Sequence, residues 1–234
     1  MKNKKVVYYI CDRHDWGYVS YLVWDILMEE VNMRPAGFTF DGREVKKYVD
    51  DKNNEYYFVP TDIAICKDYP RYLPDMNKYF GDFDMSGMVT WHEGTNAPEK
   101  VITLHTIGDV NSGCFGSANP LYNHNIMWAM EELRKDIGLH DFRVVTEATH
   151  WSGVHNDEGD PELLLKYPVP MVDIEVGSET ESWYNKEACK VLAHSLLHTF
   201  DEDINGIADK NALAYLTSLQ INGLCPENMK MKME

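Results

Sequence analysis

Apolar and polar residues alternate along this chain in two distinct periods. The run at 5–10 is β-rich and apolar, and residues 16–31 follow with Val19, Leu22, Val23, Ile26 and Leu27 three and four positions apart, one face of a helix. An opening strand and helix are predicted. Between residues 32 and 87, strands are predicted at 38–40, 56–59 and 63–66, with charged and Pro/Tyr-rich loops such as 68–74 separating them. From residue 88 the pattern sharpens, with strands at 88–91, 101–104, 142–146 and 171–175 and a helix over 121–137. Ser178-Glu179-Thr180-Glu181 has the S-x-x-E form of a capping box and starts a further helix; a last one is predicted over 208–220. Strands alternating with helices predict an α/β fold: three layers, α/β/α, around a central mixed, largely parallel sheet, as a single domain over residues 1–234.

Charge narrows the choice of partners. The chain has 22 Lys+Arg against 38 Asp+Glu, a formal net charge of −16, which repels a polyanion on average and argues against DNA. Five cysteines form no C-x-x-C pair and read as reduced thiols, and the apolar run at 6–10 is too short for a signal peptide or membrane span. A cytoplasmic protein with no membrane partner is expected.

The candidate chemistry collects where strands end. Four of them finish in groups able to bind a metal or move a proton: Trp91-His92-Glu93, His105, Glu147-Ala148-Thr149-His150, and Glu175-Val176-Gly177-Ser178. Ligands of open α/β sheets bind outside the carboxyl ends of the strands, so these groups are expected to converge. One histidine at a strand end is more often structural; the set is stronger than its members. Neutral imidazoles suit zinc, which polarises a carbonyl or acidifies a water, and an unligated carboxylate beside it serves as general base. Partial burial is expected to raise the pKa of both Glu147 and Glu175. A carboxylate beside a helix amino terminus is also favoured by the helix dipole, so Glu147 is the preferred base. Gly108 and the loop holding Gly113, Gly116 and Ser117 offer backbone N–H groups to a substrate oxygen. No P-loop, H-E-x-x-H helix or G-x-S-x-G elbow is present; Ser195 follows His194 where a metalloprotease has Glu.

These residues also carry a family resemblance. Thr146-Glu147-Ala148-Thr149-His150 and the segment from Glu175 to Trp183 resemble the signature of archaeal and plant-type D-aminoacyl-tRNA deacylases, as do Trp91-His92 and Leu104-His105-Thr106-Ile107-Gly108-Asp109. The resemblance implies a three-layer α/β/α unit shaped like phosphorylases and peptidyl-tRNA hydrolases. It also implies zinc and hydrolysis of the ester between a D-amino acid and the terminal ribose of tRNA. His92, His105, Glu147, Thr149, His150, Glu175 and Gly177 fall on the family's site region. The chain departs from the pattern at His150-Trp151-Ser152-Gly153 (His-His-Gly-Pro in the family), at Trp91-His92 (Arg-His) and at Gly108-Asp109 (Gly-Asn).

The resulting expectation is a metal-assisted hydrolase with zinc on His92, His105 and His150. Glu147, Thr149, His150 and Glu175 are its catalytic set, and Gly108, Asp109, Gly116, Gly177 and Ser178 bind substrate. The expected substrate is D-aminoacyl-tRNA or a small aminoacyl ester. A hydrolase of small acyl or aminoacyl esters or amides, and a ligand-binding relative without chemistry, remain open alternatives.

Overall fold

The computed structural model describes residues 3–94, 97–155 and 159–201. The elements below all lie in one compact unit that ends at Phe200, and the helix predicted at 208–220 lies outside the described residues.

Strand β1 (Lys5–Cys11) shows how the layers arise. Its side chains alternate, so Val6, Tyr8 and Ile10 enter one core while Val7 and Tyr9 enter a second on the other face. The first core is closed by α1 (Val19–Glu30), α3 (Pro120–Asp136) and α6 (Lys186–Ser195). The second is closed by α2 (Tyr69–Phe80) with 3-10 turns at Ile65–Lys67 and Pro161–Lys166. Three layers result, as the periodicity predicts.

Around β1 the sheet contains β2 (Arg34–Phe40), β3 (Arg43–Val49), β4 (Glu55–Thr61), β5 (Met85–Trp91), β6 (Val101–Thr106), β9 (Arg143–Thr146) and β10 (Met171–Val176), in the order β2-β3-β4-β1-β5-β10-β6-β9. Strands β4, β1, β5 and β10 are parallel; β6 is antiparallel to β10 and parallel to β9. A small hairpin, β7 (Gly108–Asp109) and β8 (Cys114–Phe115), follows β6, and the short helices α4 (Ser152–His155) and α5 (Thr180–Trp183) complete the set.

Two local expectations are corrected. The strand predicted at 63–66 is instead a bend entering the Ile65–Lys67 turn, and the loop predicted at 68–74 is the first half of α2. Pro70 suits the first turn of α2, whereas Pro74 removes an interior hydrogen bond at a cost of about 3 kcal/mol. Burial of Tyr69, Tyr72, Leu73, Met76 and Phe80 along one face outweighs that cost. Among the described residues no helix is long and apolar enough to cross a membrane, and the four described cysteines are free thiols.

Candidate active site

Strand β10 is buried along its whole length, yet its sequence is Met-Val-Asp-Ile-Glu-Val. Val172, Ile174 and Val176 enter the first core, so pleating turns Asp173 and Glu175 together to the opposite face. Register supplies their neighbours. Glu175 stands between Thr90 of β5 and Thr103 of β6, and Asp173 between Met88 and His105. Because β6 and β9 run against β10, the four strand ends do not meet at one edge of the sheet. The groups gather on its face instead, with His92 following β5 and Glu147 following β9.

Glu175 is the hub. Among the described residues, two sets of ligand-type atoms lie within 4.8 Å of one another: His92, Glu147 and Glu175, and His105, Asp173 and Glu175. His150 belongs to neither set: its Nδ1 is 2.9 Å from the Ala148 carbonyl and its ring stacks on His105, centroids 3.7 Å apart. The expected three-histidine site is therefore not assembled.

Hydrogen bonding assigns the tautomers. Ser178 Oγ donates its one proton to the Pro98 carbonyl (2.5 Å) and so accepts from His92 Nδ1 at 2.6 Å. In the neutral ring the lone pair then falls on His92 Nε2, which faces Glu147 Oε1 at 3.1 Å. His105 repeats the arrangement: Nδ1–H donates to the Thr106 carbonyl (3.1 Å), and Nε2 is buried without a hydrogen-bond partner, 3.9 Å from Glu175 Oε2. In each pair two acceptors face one another, which requires a proton or a cation between them. An imidazole whose outer N–H is anchored while its inner nitrogen faces carboxylates is the usual arrangement around a bound metal. This donor set of imidazole and carboxylate suits a divalent cation such as zinc.

Thr90 gives the same result for the acids. Its Oγ1 is 2.5 Å from Asp173 Oδ1 and 3.0 Å from Glu175 Oε1, but it has only one proton to donate. One carboxyl must carry its own proton unless a cation neutralises the pair. Burial pushes Glu175 well above the ordinary carboxyl range, reinforced by the charges of Asp173 and Glu147, and burial also raises Asp173. Burial lowers His105, keeping it neutral. For Glu147 burial acts upward, but the His92 imidazole, with Nε2 3.1 Å from Oε1, outweighs it and holds this carboxyl below its usual value. Its pKa thus moves opposite to expectation.

A cleft of about 330 Å³ reaches the hub, lined by Thr90, Glu175, His150, Trp91, Glu93 and Lys67 among others. Thr149 is tied to Thr106, their hydroxyl oxygens 2.6 Å apart. None of the expected substrate-binding residues Gly108, Asp109, Gly116, Gly177 and Ser178 lines the cleft. Gly108 lets the β7–β8 hairpin approach Thr149 and Phe115, Gly116 packs on Ile107, and Asp109 caps its own turn through the N–H groups of Asn111 and Ser112. Ser178 positions His92 instead of capping a helix; the residue before α5 is Glu179. Gly177 has φ +67° and an added Cβ would lie 2.3 Å from Ser182 Cβ. Gly177→Ala is expected to cost about 2 kcal/mol; chemical denaturation measures it, and an unchanged midpoint would mean the turn adapts.

Asp173 and Thr90 are the site residues that sequence reading missed. The available signal was Asp173-Ile174-Glu175, two acids on one face of an otherwise apolar strand.

A family model described as D-aminoacyl-tRNA deacylase matches residues 79–216. The crystal structure of a conserved protein of unknown function is similar over 87% of this chain at 19% identity and a TM-score of 0.60; the chain spans 65% of that protein's length. Futalosine hydrolase of Helicobacter pylori (TM-score 0.52, 10% identity) and the 5'-methylthioadenosine/S-adenosylhomocysteine nucleosidase of Helicobacter pylori (0.51, 11%) each match 87% of this chain and all of their own. At these identities the likeness establishes the fold. No curated protein sequence matches.

Proposed function

The chain belongs to the D-aminoacyl-tRNA deacylase family, and from that premise we propose that it hydrolyses the ester of a D-aminoacyl-tRNA at the cluster centred on Glu175. The observation that carries this reading is the pair of buried acceptor contacts, His92 with Glu147 and His105 with Glu175, around one cleft-facing carboxylate. Groups desolvated at such expense without structural need mark functional sites.

His105, Asp173 and Glu175, all buried, are the residues that would hold a zinc-type cation. When bound, such an ion supplies Lewis acidity toward a water or the ester carbonyl. The remaining work belongs to the chain. Glu147, held ionised, accepts the proton of the attacking water as general base. His92 Nε2, 3.1 Å away, shares that proton and returns it to the departing ribose oxygen, while Ser178 fixes the ring through Nδ1. Thr90 keeps Asp173 and Glu175 in register.

A second reading is favoured by the formal charge of −16 and by a cleft in which Lys67 is the one lysine or arginine among the described residues. Binding to tRNA normally draws on many basic contacts, so a small aminoacyl ester is the competing substrate. The test is hydrolysis of D- and L-aminoacyl-tRNA beside a small D-amino-acid ester by the full-length protein with zinc. Preferential loss of D-aminoacyl-tRNA is expected. Cleavage of the small ester alone selects the second reading, and cleavage of nothing overturns both.

A further inference from the structure

One wall of the cleft is not used by the chemistry above. Trp91 ends β5 and lines the cleft, its ring held edge-on by Trp16 and Tyr18 at centroid distances of 5.2 and 4.9 Å. Its indole Nε1–H donates to Glu93 Oε1 at 2.7 Å, fixing a carboxylate that also lines the cleft. Among the described residues Glu93 has no lysine, arginine or histidine partner, and it lines the same cleft as Glu175. The lining thus places an indole ring and an unneutralised carboxylate beside the reaction centre. These are the two elements that recognise an organic ammonium, one through the ring quadrupole and the other through charge.

We infer that Trp91 and Glu93 form the subsite for the α-ammonium of the acyl group, so that free aminoacyl groups are selected over simple acyl and N-acylated ones. This rests on the ester-hydrolase reading, in which the ammonium is two bonds from the carbon attacked and must lie close to Glu175. Trp91 supplies the aromatic ring and orients Glu93, which supplies the charge. Both residues act in binding and neither moves a proton. An N-acylated substrate presents a neutral amide here and gains nothing from the carboxylate.

Binding tests the subsite without requiring cleavage. Titration calorimetry of the zinc-loaded full-length protein with D-alaninamide and with its N-acetyl derivative should show the free amine bound about fivefold tighter or more. Glu93→Gln, a change at an exposed position, should bring the ratio close to one. Trp91→Phe, which keeps a π-face but loses the N–H that fixes Glu93, should give an intermediate ratio. No preference in the wild type, binding of neither probe, or a preference that survives Glu93→Gln overturns the inference. A preference that vanishes in Glu93→Gln while no ester is hydrolysed supports the subsite and sinks the hydrolase reading; hydrolysis without the preference does the reverse.

Discussion

Glu175→Gln is expected to lower kcat/KM by at least about 100-fold and, in the same protein, to stabilise the metal-free fold at alkaline pH. The first effect follows because Glu175 belongs to both ligand-type sets and faces the cleft. The second follows from its burial, which with the charges of Asp173 and Glu147 raises its pKa in the folded state. A carboxyl raised on folding favours the folded state only while protonated. Its contribution is complete below the unfolded value of about 4.3 and is lost as pH rises through the raised folded value. Metal-free wild type should therefore lose stability between about pH 5 and about pH 8, and Glu175→Gln should lose less. Glutamine keeps the shape and a contact to Thr90, so a collapse in activity would not reflect a misfolded site. Urea denaturation at both pH values, beside initial rates with zinc, measures both effects. Parallel curves for the two proteins would show that Glu175 is not held protonated.

Zinc binding should separate the two sets of ligands that share Glu175. His105→Leu is expected to weaken zinc by at least about 100-fold, because it removes the buried Nε2 that no hydrogen bond satisfies. Glu147→Gln should retain affinity within about fivefold, because Glu147 serves the proton and lies outside the buried triad of His105, Asp173 and Glu175. Competition against a chromophoric chelator gives both numbers. The opposite order would move the ion to His92, Glu147 and Glu175 and take the role of base from Glu147.

The sequence displays the layers more clearly than the site. The run at 5–10, the helical spacing through Leu27 and the apolar strand ending at Glu175 are local patterns, and the structure keeps them as β1, α1 and β10. Strand β3 and helix α2 were hidden for different reasons. Strand β3 carries basic residues on both faces, Arg43 and Lys47 on the side of Val45 and Lys46 on the other, which blurs its alternation, and α2 contains Pro74, whose cost is offset only by tertiary burial. His92, His105, Glu147 and Glu175 were found from chemistry at strand ends, although two of those strands run the other way. Strand direction is a property of the sheet and leaves no local mark. The lowered pKa of Glu147 was hidden for the same reason, since His92 reaches it from a strand on the far side of β10 and β6. Asp173 was legible and was overlooked, being the partner of Glu175 at i−2 on the same face.

Single-turnover deacylation of D-aminoacyl-tRNA with zinc-loaded wild type beside zinc-loaded Glu147→Gln tests the role of Glu147 as general base most directly. Release of the D-amino acid by the wild type is expected, with a rate at least about 100-fold lower in the variant. Equal rates in the two proteins, or no release by the wild type, would contradict that role.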